Sequence, residues 1–286
     1  MDAAALPAVA CLARRAQRGF DESKAPLLGV MGAFVFAAQM INFPVGPGTT
    51  GHLVGGALLA ITLGPCPASM VMTAILAIQA LIFQDGGILA MGANIVNMAL
   101  LGVLAGYLPY AAGAATRWRK AAIFAGGVLS VFVSAILALT ELLISGVKMP
   151  GPVLGISLLL FLVSAVLEGA ITLAVVESLE AIQPKFVRAM PARRSPALGI
   201  LGMTAVLLGS VGVLLASSAP DGIQKLARDS GIATHAFILL HTPFTGYRTS
   251  FLQPGFLGTA GAGLAGIALI YGACLLFGRV ARRRSL

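Results

Sequence analysis

The side chain in this sequence that is best suited to metal chemistry is His52, one of three histidines. It lies in FPVGPGTTGHLVGG (43–56), a stretch rich in glycine, proline and threonine between two apolar runs. Neutral imidazole is the commonest metal ligand, and its second ring nitrogen is usually held by a hydrogen bond. Thr49 and Thr50 are candidates for that second contact. A helix cap or a packing role for His52 is the structural alternative.

Several other polar side chains fall within apolar runs, where amides and carboxylates are costly. Asn94 and Asn97 are three residues apart and share one helical face, so they either line a pocket or join two helices by hydrogen bonds. Glu168 is expected to have a structural partner, although a proton relay or an ion ligand would use the same residue type. The candidates for a polar patch around His52 are Gln39, Asn42, Asn94 and Asn97.

The composition is that of an integral membrane protein. Of the 286 residues, 58% are hydrophobic and 10% are charged, whereas a soluble domain carries about 25% charged residues. The mean hydropathy is +0.95. The net charge of +9 comes mostly from four basic clusters, at 14–24, 117–120, 185–194 and 279–284, and each follows an apolar run. This arrangement indicates membrane topology and gives no support to nucleic-acid binding.

Nine apolar stretches predict the helices. They are 3–13, 27–43, 53–64, 67–83, 88–113, 121–146, 153–182, 197–216 and 255–278. If the chain alternates sides, all four basic clusters fall on one side, which the positive-inside rule assigns to the cytoplasm. The C-terminus is then cytoplasmic as well. The sequence therefore predicts an all-α integral membrane protein.

Two of the apolar stretches are shorter than the ~20 residues that a membrane-spanning helix requires. Residues 53–64 predict a partial helix whose irregular entry, 44–52, enters the bundle and forms a pocket wall, because non-helical backbone is tolerated there only in protein or at a cavity. Residues 3–13 resemble the cytoplasmic half of a helix. We therefore expect the first helix to be truncated, with this chain beginning within a span.

The stretch PKFVRAMPARRSP (184–196) predicts a cytoplasmic linker, since it combines three prolines with four basic residues. It divides the chain into a membrane domain, 1–183, and a module of two membrane helices, 197–286, which we call the C-terminal module. An external segment, 217–254, joins those two helices. It carries His235 and His241, for which a role in metal loading is one hypothesis.

Two long runs, PLLGVMGAFVFAAQMINFPVGPGTTGHLVGGALLAITLGP (26–65) and LIFQDGGILAMGANIVNMALLGVLAGY (81–107), closely resemble the CbiM/NikM family. The likeness extends over about residues 3–183. The later SSAPDGIQKLA (217–227) is similar to the PDGLE domain, a CbiN/NikN-like module, with Ile-Gln in place of Leu-Glu. Proteins of this family are the substrate-capture subunits of cobalt and nickel energy-coupling-factor (ECF) transporters.

The resemblance implies a seven-helix ECF S-component bundle in the cell membrane of a bacterium or archaeon. It implies Co²⁺ or Ni²⁺ as the transported substrate, for cobalamin synthesis or nickel enzymes, and no prosthetic group. It also implies two kinds of partner, a CbiQ-like transmembrane coupling subunit and a pair of CbiO-like ATPases. The sequence itself contains no P-loop, so ATP hydrolysis is expected from those partners.

The resemblance further implies a nearly planar set of nitrogen ligands. These are the N-terminal amine, the backbone nitrogen and ring of a histidine at the second position, and the histidine of the GHL motif, which is His52 here. This sequence opens Met1-Asp2-Ala3 instead of Met-His. We therefore expect the functional start about 15 residues upstream, an estimate from the ~20-residue length of a span, or else a degenerate protein.

The function expected from the sequence is that of a metal-binding transporter subunit, and not of an enzyme. Two alternatives remain at this point. A self-sufficient membrane carrier would need no ATPase partners. An intramembrane enzyme would use His52 as a base, which requires an acid or nucleophile within hydrogen-bonding distance.

Overall fold

Helices account for nearly all the regular structure in the described part of this chain. The structure is a computed structural model and describes residues 2–17, 24–184, 186–189, 195–214, 216–217, 219–229, 242–249 and 255–283. Among the described residues, six helices are long and apolar enough to cross a membrane. The prediction of an all-α integral membrane protein is therefore confirmed. His235 and His241 lie outside the described residues.

The elements follow the apolar stretches of the sequence. In chain order they are α1 Asp2–Gln17, α2 Ala25–Gln39, β1 Phe43–Gly46, β2 Thr49–Gly51, α3 Gly56–Leu63, α4 Pro65–Phe83, α5 Met91–Gly113, α6 Arg119–Ile144, α7 Gly151–Ile182, α8 Phe186–Ala189, α9 Pro196–Leu214, α10 Gly222–Asp229 and α11 Phe256–Arg283. Two of them contain π-helical turns, Gln79–Phe83 at the end of α4 and Ile95–Gly102 within α5.

Helix α2 lies at the centre of the bundle and is buried along nearly its whole length. It is apolar on all faces, which is typical of a helix with no solvent-exposed side. It packs against α9 and α11 of the C-terminal module. A Cβ atom at Gly29 would lie 2.6 Å from the Tyr271 ring, and one at Gly32 would lie 2.9 Å from Ile270. The two glycines therefore admit α11 to close contact, and the C-terminal module shares one core with the rest of the chain.

Helices α6 and α7 approach each other at a pair of glycines. A Cβ atom at Gly127 would lie 2.6 Å from the Cα atom of Gly169, and one at Gly169 would lie 2.7 Å from the Phe124 carbonyl oxygen. Small residues permit this close backbone contact between membrane helices. The approach matters for the site because Gly169 follows Glu168, whose side chain is 1% exposed.

The entry to α3 differs in part from the irregular segment predicted for 44–52. Strands β1 and β2 form an antiparallel hairpin with Phe43 opposite Gly51. Gly48 closes the hairpin with φ of +63°, a conformation that glycine adopts without strain. Pairing satisfies backbone groups that an irregular segment would leave exposed to the apolar surroundings. Residues 52–55 have no regular structure and lead into α3, all of whose residues are buried.

The contact between Gly127 and Gly169 predicts an effect on stability. Gly127→Ala places a methyl group against the α7 backbone, and such overpacking costs ~1–3 kcal/mol. The midpoint of thermal unfolding in detergent is expected to fall by several degrees. Gly155→Ala, also in α7, is the control because a Cβ atom there meets nothing within 4 Å. Equal midpoints for the two variants would contradict this account of the packing.

Candidate functional site

A cavity of about 150 Å³ lies beside the hairpin. Water occupies about 30 Å³ per molecule in the liquid, so this volume admits an ion together with several waters. Its wall combines β2 and the residues after it with α5, α6, α7 and the start of α10. The polar lining residues are Thr49, Thr50, His52, Asn94, Asn97, Ser134, Ser164 and Asp221. Five predicted site residues are thereby brought together around one cavity.

The half-buried His52 ring has a defined tautomer. Its Nδ1 atom lies 2.9 Å from the Leu53 carbonyl oxygen. A carbonyl oxygen only accepts, so Nδ1 is the donor. In the neutral ring, Nε2 then keeps a free lone pair, which is the form of imidazole that binds a metal. Backbone oxygen therefore orients the ring, in place of the predicted contact with Thr49 or Thr50.

Glu168 fixes the backbone that carries His52. The Val54 amide donates to Oε2 of Glu168 at 2.7 Å, and the Gly55 amide donates to Oε1 at 2.8 Å. These are backbone donors at the start of α3, where a helix leaves N–H groups without intrahelical partners and a negative charge is favoured. The partner of Glu168 is thus the chain segment next to His52.

Gln39 and Asn42 do not line the cavity, contrary to the prediction of one shared polar patch. Gln39 donates from Nε2 to the Val54 carbonyl oxygen at 2.7 Å, so it holds the other end of that residue's backbone. The backbone oxygen of Asn42 accepts the Ser217 amide at 2.9 Å. Helix α2 ends at Gln39, and Asn42 lies in the non-helical stretch between α2 and β1.

Asn97 both lines the cavity and joins α5 to α6. Its Nδ2 atom donates to Glu141 at 3.0 Å, and its backbone oxygen accepts the Ser134 hydroxyl at 2.8 Å. The Oδ1 atom is buried and has no hydrogen-bond partner among the described residues. Asn94 lines the cavity as well, with Nδ2 3.5 Å from the Gly86 carbonyl oxygen. The two readings of Asn97, helix contact and pocket lining, are therefore compatible.

The C-terminal module covers the hairpin at the cavity. The Thr50 hydroxyl donates to the Ala219 carbonyl oxygen at 3.0 Å, and the Thr50 amide donates to the Pro220 carbonyl oxygen at 2.9 Å. Lys225 donates to the Pro47 carbonyl oxygen at 2.8 Å. Sequence reasoning did not identify Asp221 as a lining residue. The available sequence signal was the place of Asp221 in the PDG motif. This motif identifies the segment but does not indicate where the segment docks.

The polar groups around the cavity determine which ligand atoms are available to a metal ion. Within the described part of the chain, no group of three or more His, Cys, Asp or Glu side chains is placed to hold a metal. The lining offers one imidazole, the Asp221 carboxylate and neutral oxygen atoms. Thr49 Oγ1 is buried without a hydrogen-bond partner in the described ranges and belongs to the same wall.

Comparison with known proteins places the chain in a family. The model of the CbiM family, described as the cobalt uptake substrate-specific transmembrane region, matches residues 1–186. A crystal structure of a transition metal transporter is 34% identical and has a TM-score of 0.54, covering 63% of this chain and 86% of that one.

Two relatives extend the match into the C-terminal module. A protein of Archaeoglobus fulgidus, assigned as a fused nickel transport protein (NikMN), is 34% identical over 267 residues, which are 90% of this chain and 86% of the relative. A protein of Lactiplantibacillus plantarum, assigned as a fused nickel transport protein (LarMN), is 33% identical over 74% of this chain and 70% of the relative. Both are transport proteins by name, which confirms the prediction of a transporter rather than an enzyme. This multi-pass membrane protein belongs to the CbiM family.

Proposed function

We propose that this chain is the substrate-binding membrane subunit of an ECF-type ABC transporter that imports Co²⁺ or Ni²⁺. The observation that carries the proposal is the His52 ring, which presents a free Nε2 lone pair at a cavity in a protein of the CbiM family. Family membership gives the class of substrate, and the cavity gives a place for it. The partner subunits supply ATP hydrolysis.

The chemistry of the cavity suits the proposed ions. Imidazole nitrogen favours Ni²⁺ and Co²⁺ over Mg²⁺ and Ca²⁺, which prefer oxygen ligands. Selection among transition metals depends on geometry more than on raw affinity. Geometry requires a fixed ligand, and Glu168 and Gln39 hold Val54 by its amide and its carbonyl group. These hydrogen bonds, which we call the clamp, hold residues 52–55 in place and so serve metal selectivity. Asp221 contributes a negative charge that attracts the ion.

The opposite side of the membrane carries the surface proposed for the CbiQ-like and CbiO-like partners. We assign that side to the cytoplasm in this proposal because the basic clusters fall there, as the positive-inside rule expects. There Arg119 of α6 pairs with Glu180 of α7 at 2.8 Å, and Lys120 pairs with Glu177 at 2.8 Å. These pairs fix the cytoplasmic ends of the same two helices that enclose the metal cavity. Movement of the partners would therefore reach the site through α6 and α7.

His52 is the residue whose removal tests metal binding most simply. His52→Ala in the full-length protein removes the imidazole ligand, so the affinity for Ni²⁺ and Co²⁺ is expected to fall at least a hundredfold. Isothermal titration calorimetry in detergent measures it, with Mg²⁺ as the control ion. Unchanged affinity of the variant would exclude His52 as a ligand.

Glu168 is expected to act on metal binding without touching the ion. Glu168→Gln replaces one acceptor oxygen by an NH₂ group, so a backbone amide of Val54 or Gly55 loses its partner at a cost of ~1–3 kcal/mol. Both the unfolding midpoint and the metal affinity should fall. Glu177→Gln is the matched control on α7, because its half-exposed ion pair with Lys120 is worth about 0–1 kcal/mol. Equal behaviour of the two variants would contradict the clamp.

Co-purification tests the proposed assembly against a self-sufficient carrier. The chain is tagged in its native host, extracted in mild detergent and isolated, and its companions are identified by mass spectrometry. A coupling subunit and an ATPase pair are expected. Vesicles that contain this chain alone and still accumulate ⁶³Ni²⁺ or ⁵⁷Co²⁺ against a gradient would favour the carrier.

A further inference from the structure

A chain of hydrogen bonds leads from the His52 segment to the external part of the C-terminal module. Val54 accepts from Gln39 at 2.7 Å, and Gln39 Oε1 accepts from Gln79 Nε2 at 2.8 Å. Gln79 Nε2 also donates to the Tyr247 hydroxyl at 3.1 Å, and that hydroxyl donates to Asp85 at 2.6 Å. Three side chains, Gln39, Gln79 and Tyr247, thus connect the backbone beside the metal cavity with a turn about 190 residues further along the sequence, and Asp85 accepts from the last of them.

The donor and the acceptor of every bond in this hydrogen-bonded series are fixed by the groups at its two ends, the Asp85 carboxylate and the Val54 carbonyl group. The Asp85 carboxylate only accepts, so it takes the single hydroxyl proton of Tyr247. The Tyr247 oxygen must then accept from an NH₂ group, which orients the Gln79 amide. The second N–H of Gln79 needs an acceptor, and this orients the Gln39 amide so that its own NH₂ group points to Val54. Gln39 and Gln79 are 5% and 7% exposed, so water does not offer an alternative arrangement.

Tyr247 is itself held firmly in place. Its ring stacks on Phe83 with centroids 5.0 Å apart and an interplanar angle of 20°. Its backbone has φ of +58°, which is uncommon for a residue other than glycine. Burial and the adjacent Asp85 raise the pKa of the Tyr247 phenol well above its usual range, so the hydroxyl keeps its proton. The turn is anchored to α4 by Thr242, which donates to the Ile82 carbonyl oxygen.

We infer that Tyr247 is a positioning residue for His52 and acts through Gln79 and Gln39 on the Val54 carbonyl group. This inference builds on the proposed function, since it concerns the same site. The C-terminal module would then take part in metal binding in two ways. It covers the hairpin through Pro220, and it holds residues 52–55 in place through the Val54 carbonyl group. None of the three side chains on the second route, Tyr247, Gln79 and Gln39, lines the cavity.

Hydrogen–deuterium exchange in the absence of metal tests the inference independently of the proposed function. Tyr247→Phe removes the hydroxyl and keeps the ring on Phe83. Exchange in peptides that contain residues 52–55 is expected to become about fivefold faster, the factor expected from one net hydrogen bond. Tyr271→Phe is the control, because its hydroxyl has no hydrogen bond within the described residues and its ring lies over Gly29. Unchanged exchange in Tyr247→Phe would overturn the inference.

A double-variant comparison distinguishes positioning from general loosening. Gln39→Met breaks the same chain at the other end and keeps the volume of the side chain. If both residues act through one chain, Gln39→Met with Tyr247→Phe should accelerate exchange no more than Gln39→Met alone. Independent local effects would multiply, and multiplied effects would contradict the inference.

The spectrum of the bound ion gives a readout at the site itself. In the unaltered protein, the ligand-field absorption bands of Co²⁺ report the geometry around the imidazole. Tyr247→Phe should shift or broaden these bands and weaken binding about fivefold, as the loss of one net hydrogen bond predicts. The His52→Ala variant distinguishes a failure of this inference from a failure of the proposed function. If the unaltered protein binds metal and His52→Ala does not, while Tyr247→Phe matches the unaltered protein in both readouts, the proposed function stands and the inference fails.

Discussion

The pair of hydrogen bonds from Val54 and Gly55 to Glu168 is the interaction on which the rest of the site depends. A carboxylate inside a membrane bundle is costly without partners, and so are backbone amides without acceptors. Each group satisfies the other here, at 2.7 and 2.8 Å. As a result, a short segment of non-helical backbone can exist inside the bundle. That segment presents His52 to a cavity, which a continuous helix through the same residues would not do.

The fold is arranged so that this contact can form. The glycine contact between α6 and α7 brings the Glu168 backbone inward. The hairpin pairs the backbone N–H and C=O groups of the chain before the chain enters the interior. The two residues before the eight-residue α3, Val54 and Gly55, then provide the amides for the carboxylate. On the opposite side, Gln39 holds the Val54 carbonyl group. The C-terminal module adds a cover above the hairpin and a hydrogen-bonded support behind it, so the site is built from both parts of the chain.

Sequence reasoning found the elements that have a local signal. Hydropathy marks the apolar runs of α4 to α7, and His52 stands out because a polar ring within such runs needs a reason. The partners of the site have no local signal: Glu168 and Val54 are 114 residues apart in the chain. Their contact depends on how α7 packs, which no short window records. The same reason explains why Gln39 was expected in the pocket wall, and why the docking of Asp221 and the link through Tyr247 were not predicted.

The central claim is that the Glu168 clamp places the His52 imidazole where it binds the ion. X-ray absorption at the nickel K edge of the Ni²⁺-loaded, full-length protein tests it most directly, with Glu168→Gln beside the unaltered protein. The account predicts the outer-shell scattering of a metal-bound imidazole in the unaltered protein, and a weaker or more disordered imidazole signal in the variant. A first shell made only of oxygen, or identical imidazole scattering in both proteins, would contradict it.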